Sequence, residues 1–248
     1  MRHLIVPDTQ LRPGVETQHI DWAARAIVDY RPDTIIVLGD WWDMHALSTH
    51  DAPGSAAMEN ARYWDDVTVG NKAFERLVAP MNKRKKKDRK WKPRRVFLFG
   101  NHENRIDRAV AREPRLTGAY ALHHLNTQGF ERHDFLEIVD IDGIAYSHYF
   151  ANTHSGRPVG GNISNRLSKI GRSFVQGHEQ GFQYGTQQYP GSLRRHGLVA
   201  GSFYRHCESY RGNQGKDEWR GIVVLNEVQN GDYCVMPLTM KYLESKYS

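Results

Sequence analysis

The chain reads Val96-Phe97-Leu98-Phe99-Gly100-Asn101-His102-Glu103, an apolar run of strand type that a group of polar residues follows at once. Four further stretches place similar polar groups beside apolar runs. Three of them follow such a run directly, and His148 lies inside one. Ligands bind outside the carboxyl ends of strands in open α/β sheets, so these polar groups predict a site at such an edge. The four stretches are Pro7-Asp8-Thr9-Gln10, Gly39-Asp40-Trp41-Trp42-Asp43, Ser147-His148 and Gly177-His178-Glu179-Gln180.

The first hundred residues alternate between strand and helix patterns. A helix is predicted at 18–30, with Thr17 as its N-cap and Pro32 as the residue that stops it. A longer amphipathic stretch runs from about 58 to 81, and Gly70 could interrupt it. The β-α-β-α-β order favours a parallel sheet with covering helices. The strands are predicted at 3–7, 34–38 and 95–99.

The rest of the chain adds strands to a second sheet. A helical stretch is predicted at 104–125, and the Asp142-Gly143 turn between apolar runs predicts a hairpin within 134–150. We therefore expect a single α/β domain over 1–248, with two face-to-face mixed β-sheets flanked by helices in a four-layer α/β/β/α sandwich. Further strands are predicted at 173–176, 197–202, 221–228 and 232–239, the last two joined across Asn230-Gly231.

Composition excludes several classes of protein. Of the 248 residues 39% are hydrophobic, and no apolar run approaches the roughly 20 residues that span a bilayer. The residues after Met1 run directly into a strand rather than into a signal-peptide core. Two cysteines, Cys207 and Cys234, are too few for a disulfide framework or a cysteine-rich metal site. We expect a cytoplasmic protein with no membrane partner.

The positive charge is concentrated in one segment. Residues 83–95 hold ten of the 34 basic residues and one of the 28 acidic residues, a net charge of +9. The remaining 24 basic and 27 acidic residues leave the rest of the chain at −3. We predict a basic loop on a mildly acidic body, and the overall charge alone does not indicate a nucleic-acid binder.

The five polar stretches resemble the motifs of the calcineurin-like metallophosphoesterase superfamily. That pattern is Asp-x-His, Gly-Asp-x-x-Asp, Gly-Asn-His-Asp/Glu, a lone His and Gly-His-x-His, and the resemblance spans positions 8 to 180. It implies a hydrolase acting on phosphoester bonds. Two divalent ions about 3.5–4 Å apart would bridge a hydroxide that attacks phosphorus and would clamp the attacking and leaving oxygens.

The resemblance also assigns roles to individual residues. Asp40 would bridge the ions, and His102 would act beside them as a general acid or a phosphate donor. Asp43 would orient His102, and Arg105 would reach a phosphate oxygen. The second ion would also take Asn101, His148 and His178, and the first would take Asp8, Gln10 and Gln180.

Each role has a simpler structural alternative. Asp8, Asp40 and Asn101 could be turn residues, and His148 could be an ordinary strand histidine. Asp43 could cap a helix, and Arg105 could be a surface residue. For Trp41 and Trp42 we expect packing rather than substrate stacking, and for His45, His50 and His154 we expect solvent exposure.

Two departures from the family pattern fall on the first ion. Gln10 and Gln180 stand where that pattern has histidines, and amide oxygens are harder donors than imidazoles. We therefore expect Mn²⁺, with Mg²⁺ or Zn²⁺ as alternatives, and a weakly held first ion. If that ion is absent, the chain could bind phosphates without hydrolysing them.

Three features favour DNA or RNA as the substrate. They are the basic segment, which could neutralise phosphates, and two segments that mix aromatic residues with arginine, 181–196 and 203–220. However, the basic segment enters the strand that ends at Gly100, so it should emerge at the opposite end of the sheet from the metals. A phosphomonoesterase or a nucleotide phosphodiesterase for a small substrate remains the alternative. The residues concerned are Phe182, Tyr184, Tyr189, Arg194 and Arg195 in the first segment, and Phe203, Tyr204, Arg205, Tyr210, Arg211, Trp219 and Arg220 in the second.

Overall fold

The structure, a computed structural model, describes residues 1–49, 58–88, 90–191, 194–206 and 218–248, with only the backbone of Lys85. These residues form eleven strands and five α-helices. The strands are β1 His3–Val6, β2 Thr34–Val37, β3 Arg94–Leu98, β4 Glu131–His133, β5 Val139–Ile141, β6 Ile144–Ser147, β7 Phe174–Gln176, β8 Phe182–Gln187, β9 Arg195–Ala200, β10 Gly221–Gln229 and β11 Asp232–Thr239. The helices are α1 His19–Tyr30, α2 Tyr63–Lys87, α3 Arg105–Arg112, α4 Ile163–Ile170 and α5 Met240–Tyr247.

The strands form two mixed sheets. The first has six strands in the order β11-β10-β1-β2-β3-β4, and its last four strands are parallel. The second has five strands in the order β5-β6-β7-β9-β8, with a parallel centre and an antiparallel strand at each edge. The predicted parallel arrangement of the first three strands and the predicted 142–143 hairpin are both confirmed.

Alternating side chains along the strands build the layers. In β1, Leu4 and Val6 join a core beneath α1, α2 and α5, whereas Ile5 joins a core between the sheets. Tyr146 and Val175 reach that inter-sheet core from the second sheet. A third core packs α4 on the outer face of the second sheet. The order is therefore helices, sheet, sheet, helix, which confirms the predicted four-layer sandwich.

The first helix begins one residue later than predicted. Gln18 occupies the N-cap position and makes no side-chain cap, so the prediction of Thr17 as N-cap is wrong. The Thr17 hydroxyl instead accepts a hydrogen bond of 2.8 Å from Arg76 of α2. The helix ends at Tyr30, and Arg31 takes a left-handed conformation before Pro32.

The second helix is longer than predicted and includes part of the basic segment. It continues through Gly70 and Pro80 to Lys87, so the predicted loop at 83–95 is wrong at both ends. Residues 83–87 are helical and residues 94–95 begin β3, which leaves only 88–93 as the connection. Gly70 does not interrupt the helix. The ring of Trp42 packs so closely there that an added Cβ would lie 2.0 Å from it.

Several helices and strands differ from the prediction or were not indicated by local sequence patterns. The predicted helix at 104–125 is shorter, because α3 ends before Pro114 and 3₁₀ turns follow. Four elements were not predicted: β4, β8, α4 and α5. Among the residues with a described position, no helix is both long and apolar enough to cross a bilayer.

Candidate metal centre

All five motifs lie just beyond strand ends, at the same side of the two sheets. His148 follows Ser147, the last residue of β6, so its predicted position inside a strand is wrong and the histidine lies at the strand end as well. In the first sheet the parallel strands β1, β2 and β3 bring their polar residues to one edge. The strands and the residues that follow them are β1 and Asp8, β2 and Asp40, β3 and Asn101, β6 and His148, and β7 and His178.

Four of the predicted ligands converge on one small volume. Ligand atoms of Asp40, His148 and His178 all lie within 4.8 Å of one another. Oδ1 of Asn101 is 2.9 Å from Nε2 of His148 and 2.8 Å from Nδ1 of His178. Nε2 of His148 is also 3.3 Å from Oδ2 of Asp40. Two imidazole nitrogens and two oxygens in this arrangement form a donor set that suits a divalent cation.

Hydrogen bonding orients His148 toward this volume. Its Nδ1 lies 2.7 Å from the carbonyl oxygen of Leu38, which can only accept, so Nδ1 carries the proton and Nε2 points at Asp40 and Asn101. Burial alone would lower the pKa of His148, but the Asp40 carboxylate outweighs it and raises this pKa to about 9. For His178, burial lowers the pKa to about 4, so its ring is neutral at pH 7.

One carboxylate oxygen of Asp8 is buried where a bound cation would stabilise its negative charge. Its Oδ1 accepts the backbone N–H of His178 at 3.1 Å, whereas Oδ2 is buried with no hydrogen-bond partner among the described residues. Burial raises the pKa of Asp8 to about 7. Leaving a buried carboxylate oxygen unpaired is costly, and an ion beside it would remove that cost. Asp8 therefore fits a ligand of the first ion.

The two glutamines differ in what surrounds them. Gln10 is buried beside Asp40, whose carbonyl accepts its backbone N–H at 2.8 Å. Gln180 lies two residues after His178, and its Oε1 accepts a hydrogen bond from the hydroxyl of Tyr204. This hydroxyl competes for the oxygen that the first ion would use. The donor set for that ion is thus weaker than the set around His148.

His102 lies beside the cluster rather than in it. Its backbone N–H donates to Oδ1 of Asp40 at 2.9 Å, and its Nε2 is 3.7 Å from the other oxygen of that carboxylate. Its Nδ1 is 2.8 Å from Oδ1 of Asp43. Burial would lower the pKa of His102, but Asp40 and Asp43 outweigh it and raise this pKa. The ring can therefore hold a proton close to the cluster.

Two arginines hold Asp43 in place. Arg12 forms a 2.6 Å ion pair with its carboxylate, and Arg105 donates to its carbonyl at 2.9 Å. Arg105 also places a nitrogen 3.3 Å from Nε2 of His102. Burial would raise the pKa of Asp43, but His102 and the arginines outweigh it and hold this pKa below its usual range. Sequence reasoning missed Arg12, which carries no motif signal.

Glu103 is the largest omission of the sequence reasoning. The side chain is fully buried, and its two oxygens accept the backbone N–H groups of four residues at the ends of β2 and β3. Burial raises the pKa of Glu103, and the amide donors oppose that shift. Its place in the Gly-Asn-His-Glu motif was the available signal. The four donors are Asp40 at 3.0 Å, Trp41 at 2.7 Å, Trp42 at 3.1 Å and Gly100 at 2.7 Å.

The motif glycines allow close approach to the carboxylates. A Cβ on Gly100 would lie 2.1 Å from Oδ1 of Asp40, and one on Gly177 would lie 2.5 Å from Oδ1 of Asp8. Asp40 and His178 themselves have positive φ angles of 48° and 64°. Non-glycine residues in this region are strained, and such strain is concentrated at functional sites.

A partly buried ion pair anchors the loop that carries His178. Arg166 of α4 is 2% exposed and donates two hydrogen bonds of 2.6 Å to the carboxylate of Glu179. It also donates to the carbonyl of Gly161 at 2.7 Å. This bidentate pair restrains the residue between His178 and Gln180. Sequence reasoning did not identify Arg166.

The aromatic residues near the site serve mainly as packing. Trp41 and Trp42 are fully buried, as expected. Phe203 and Tyr204 are also fully buried, so these two members of the 203–220 segment pack in the interior and offer no surface for stacking on bases. Tyr210 and Arg211 lie outside the described residues. In the 181–196 segment, Arg195 stacks on Tyr189 with its guanidinium carbon 4.3 Å from the ring centre.

The basic segment lies at the far end of the first sheet. The indole of Trp91 donates to the carbonyl of Pro32 at 3.0 Å, and Asp88 pairs with Arg31. Both contacts precede β2, whereas Asp40 follows it. The basic segment and the cluster therefore lie at opposite ends of this four-residue strand, about 13 Å apart. This separation was predicted from the direction of the strand.

No family model and no curated protein matches the chain. Among solved structures, that of Yfce, a phosphoesterase from E. coli, aligns with a TM-score of 0.42 at 12% sequence identity. The alignment covers 95% of this chain and 98% of that chain.

Proposed function

We propose that the chain is a metal-dependent phosphoesterase that hydrolyses the phosphodiester bonds of nucleic acid. The observation that carries the proposal is the convergence of Asp40, Asn101, His148 and His178, with the unpaired oxygen of Asp8 nearby. The donor set agrees with the resemblance to the calcineurin-like superfamily. It suits two divalent ions, for which the oxygen donors favour Mn²⁺ and leave Mg²⁺ or Zn²⁺ as alternatives.

The neighbouring residues support hydrolysis rather than metal storage. Bound metals in such a pair supply an activated water and stabilise negative charge on the phosphoryl oxygens. His102 lies beside the cluster, and the carboxylates of Asp40 and Asp43 raise its pKa. Its ring can therefore hold a proton and give it to the leaving oxygen. The guanidinium of Arg105 lies next to that ring and can bind a phosphate oxygen.

The test is hydrolysis of a bis-nitrophenyl phosphate with Mn²⁺ present, compared between the wild type and two variants. Asp40→Asn should lose nearly all activity, because the carboxylate that would hold the ions becomes a neutral amide. The matched control Asp65→Asn changes an exposed carboxylate on α2 and should keep full activity. Equal activity in the two variants would contradict the proposal.

One observation favours a second candidate, a phosphate-binding protein without activity. The Tyr204 hydroxyl already donates to Gln180, so the first ion has a reduced donor set. In that case calorimetry would detect one tightly bound Mn²⁺ and the diester assay would show no turnover. Activity above the Asp40→Asn background would exclude this candidate.

A further alternative is a small phosphoester substrate. It is favoured by the position of the basic segment, which lies too far from the cluster to touch the bond that is cut. Replacing the exposed Lys86, Lys87, Lys90 and Lys92 with glutamine tests whether the segment anchors a polymer. A polymer anchor predicts weaker, salt-dependent binding of DNA or RNA with unchanged turnover of the small diester.

A cytoplasmic location is also part of the proposal and rests on the cysteine count.

A further inference from the structure

The third helix carries three arginines on one face. Arg105, Arg108 and Arg112 lie within about 60° of one another around the helix, because each residue advances by about 100°. Arg105 is at the metal centre, and Arg112 is about 10 Å farther along the axis. Asp107, the acid of this helix, is turned away from that face. We call these three residues the α3 stripe.

The outer part of the α3 stripe has no side-chain partner in the part of the chain that the structure describes. Arg108 and Arg112 are exposed, and within the described residues their side chains form no hydrogen bond or ion pair. Arg105, by contrast, is mostly buried and contacts Asp43. The stripe therefore extends positive charge from the metal centre outward.

A solvated arginine face needs no ligand by itself, but the start of α2 presents an exposed tryptophan that is backed by other aromatic rings. Trp64, on the first turn of α2, is 55% exposed, although the ring of His124 lies 4.6 Å behind it. Tyr63 stacks on Tyr120 with ring centres 4.3 Å apart, and its hydroxyl is 2.8 Å from Nδ1 of His124. We call Tyr63, Trp64, Tyr120 and His124 the aromatic platform.

The short 3₁₀ turn at 45–47 connects the aromatic platform to the metal centre. Its Ala46 donates a backbone N–H to Asp66, one helical turn from the platform, at 2.8 Å. On its other side, Arg105 donates to the carbonyl of Asp43 just before the turn. The pKa of buried Asp66 is raised to about 6, chiefly by burial, and Asp43 and Arg105 are near enough to influence it. The turn therefore contacts both α2, which carries Tyr63 and Trp64 of the platform, and α3, which carries the stripe.

We propose that the α3 stripe and the aromatic platform bind single-stranded nucleic acid, with phosphates on Arg108 and Arg112 and an unstacked base on Trp64. The inference rests on the proposed function, which supplies the hydrolysis of the phosphodiester bond. It adds the substrate class, which is single-stranded nucleic acid. Non-specific binders of single strands combine cationic grooves with aromatic side chains on which bases stack. A duplex keeps its bases stacked inside and would leave Trp64 unused.

Binding can be measured separately from catalysis. A fluorescein-labelled thymidine oligomer of about twelve nucleotides serves as the probe, by anisotropy in EDTA at several salt concentrations. Arg108→Gln with Arg112→Gln should weaken binding about tenfold and reduce the log–log salt slope by about 1.4, since each single-strand phosphate contact contributes about 0.7. Trp64→Ala should also weaken binding about tenfold, and Trp64→Phe should restore most of it, because phenylalanine can still stack.

The matched control is Lys86→Gln with Lys87→Gln, which removes the same charge at the far end of α2. It should change affinity little, and every variant should hydrolyse the small diester like the wild type. The inference is overturned if the arginine and lysine pairs weaken binding equally, or if a duplex binds as tightly and Trp64→Ala has no effect. Should the expected binding pattern appear without hydrolysis of any substrate, the surface stands and the proposed function fails.

Discussion

The carboxylate of Glu103 accepts a hydrogen bond of 3.0 Å from the backbone N–H of Asp40. The same side chain collects three further amide protons, so one buried anion joins the ends of β2 and β3. Its effect is to hold Asp40 in a left-handed conformation that aims the carboxylate at His148. The site is thus held together by a residue that would not touch the metals.

Glu103→Gln should destabilise the protein severely. The NH2 group of glutamine cannot accept a hydrogen bond, so the two backbone N–H groups that share one oxygen of Glu103 lose their acceptor and face a donor instead. We expect a loss of about 2–4 kcal/mol in the free energy of unfolding. Urea denaturation measures it, and Glu113→Gln, on an exposed side chain, is the control that should change little. If Glu103→Gln lowered the free energy of unfolding as little as the control does, the hydrogen bonds of Glu103 would contribute nothing to stability.

Gly70→Ala should also be destabilising, against the helix propensities of the two residues. Alanine in a helix is about 1 kcal/mol more favourable than glycine. At this position, however, the added Cβ would lie 2.0 Å from the indole of Trp42, and overpacking typically costs about 1–3 kcal/mol. The net change in the free energy of unfolding should be unfavourable. Gly160→Ala, where no atom lies within 4 Å, is the matched control, and a stabilised Gly70→Ala variant would contradict the packing argument.

Gln180→His should tighten Zn²⁺ binding at the first ion. An imidazole nitrogen is a better ligand for zinc than an amide oxygen that already accepts from Tyr204. We expect an affinity gain of about tenfold or more, measured by calorimetric titration of metal-free protein. Gln128→His, at an exposed position, should leave both affinities unchanged. Two equally tight zinc sites in the wild type would refute the weak first ion.

Metal affinity should increase with pH. Burial raises the pKa of Asp8 to about 7, and Asp40, acting against burial, raises that of His148 to about 9. Metals bind the deprotonated forms of both groups, so protons compete with them below these values. Affinity for Mn²⁺ should therefore rise from about pH 6 to pH 9, with one to two protons released on binding. Calorimetry in buffers of different ionisation enthalpy counts these protons, and an affinity independent of pH would contradict the prediction.

Local patterns in the sequence were sufficient for the order of the main elements. Apolar runs such as 96–99 marked the central strands, and the Asp142-Gly143 turn marked a hairpin that the structure contains. Short edge strands such as β4 and β8 were missed, because their residues are only partly buried and show no apolar run. Helix α2 was predicted to end at about 81, where the apolar positions at helical spacing stop, whereas the helix continues to Lys87. Gly70, a possible interruption in the local pattern, is a contact with Trp42.

The sequence by itself determined the two-sheet fold and the position of four of the five polar motifs at a strand end, because both depend on periodicity and turn chemistry within a few residues. Only the tertiary structure decided what those motifs contact. The four amides on Glu103, the pairing of Arg12 with Asp43 and the burial of Tyr204 all involve residues far apart in the chain. Such relationships depend on how strands and layers are placed in space, which no local pattern specifies.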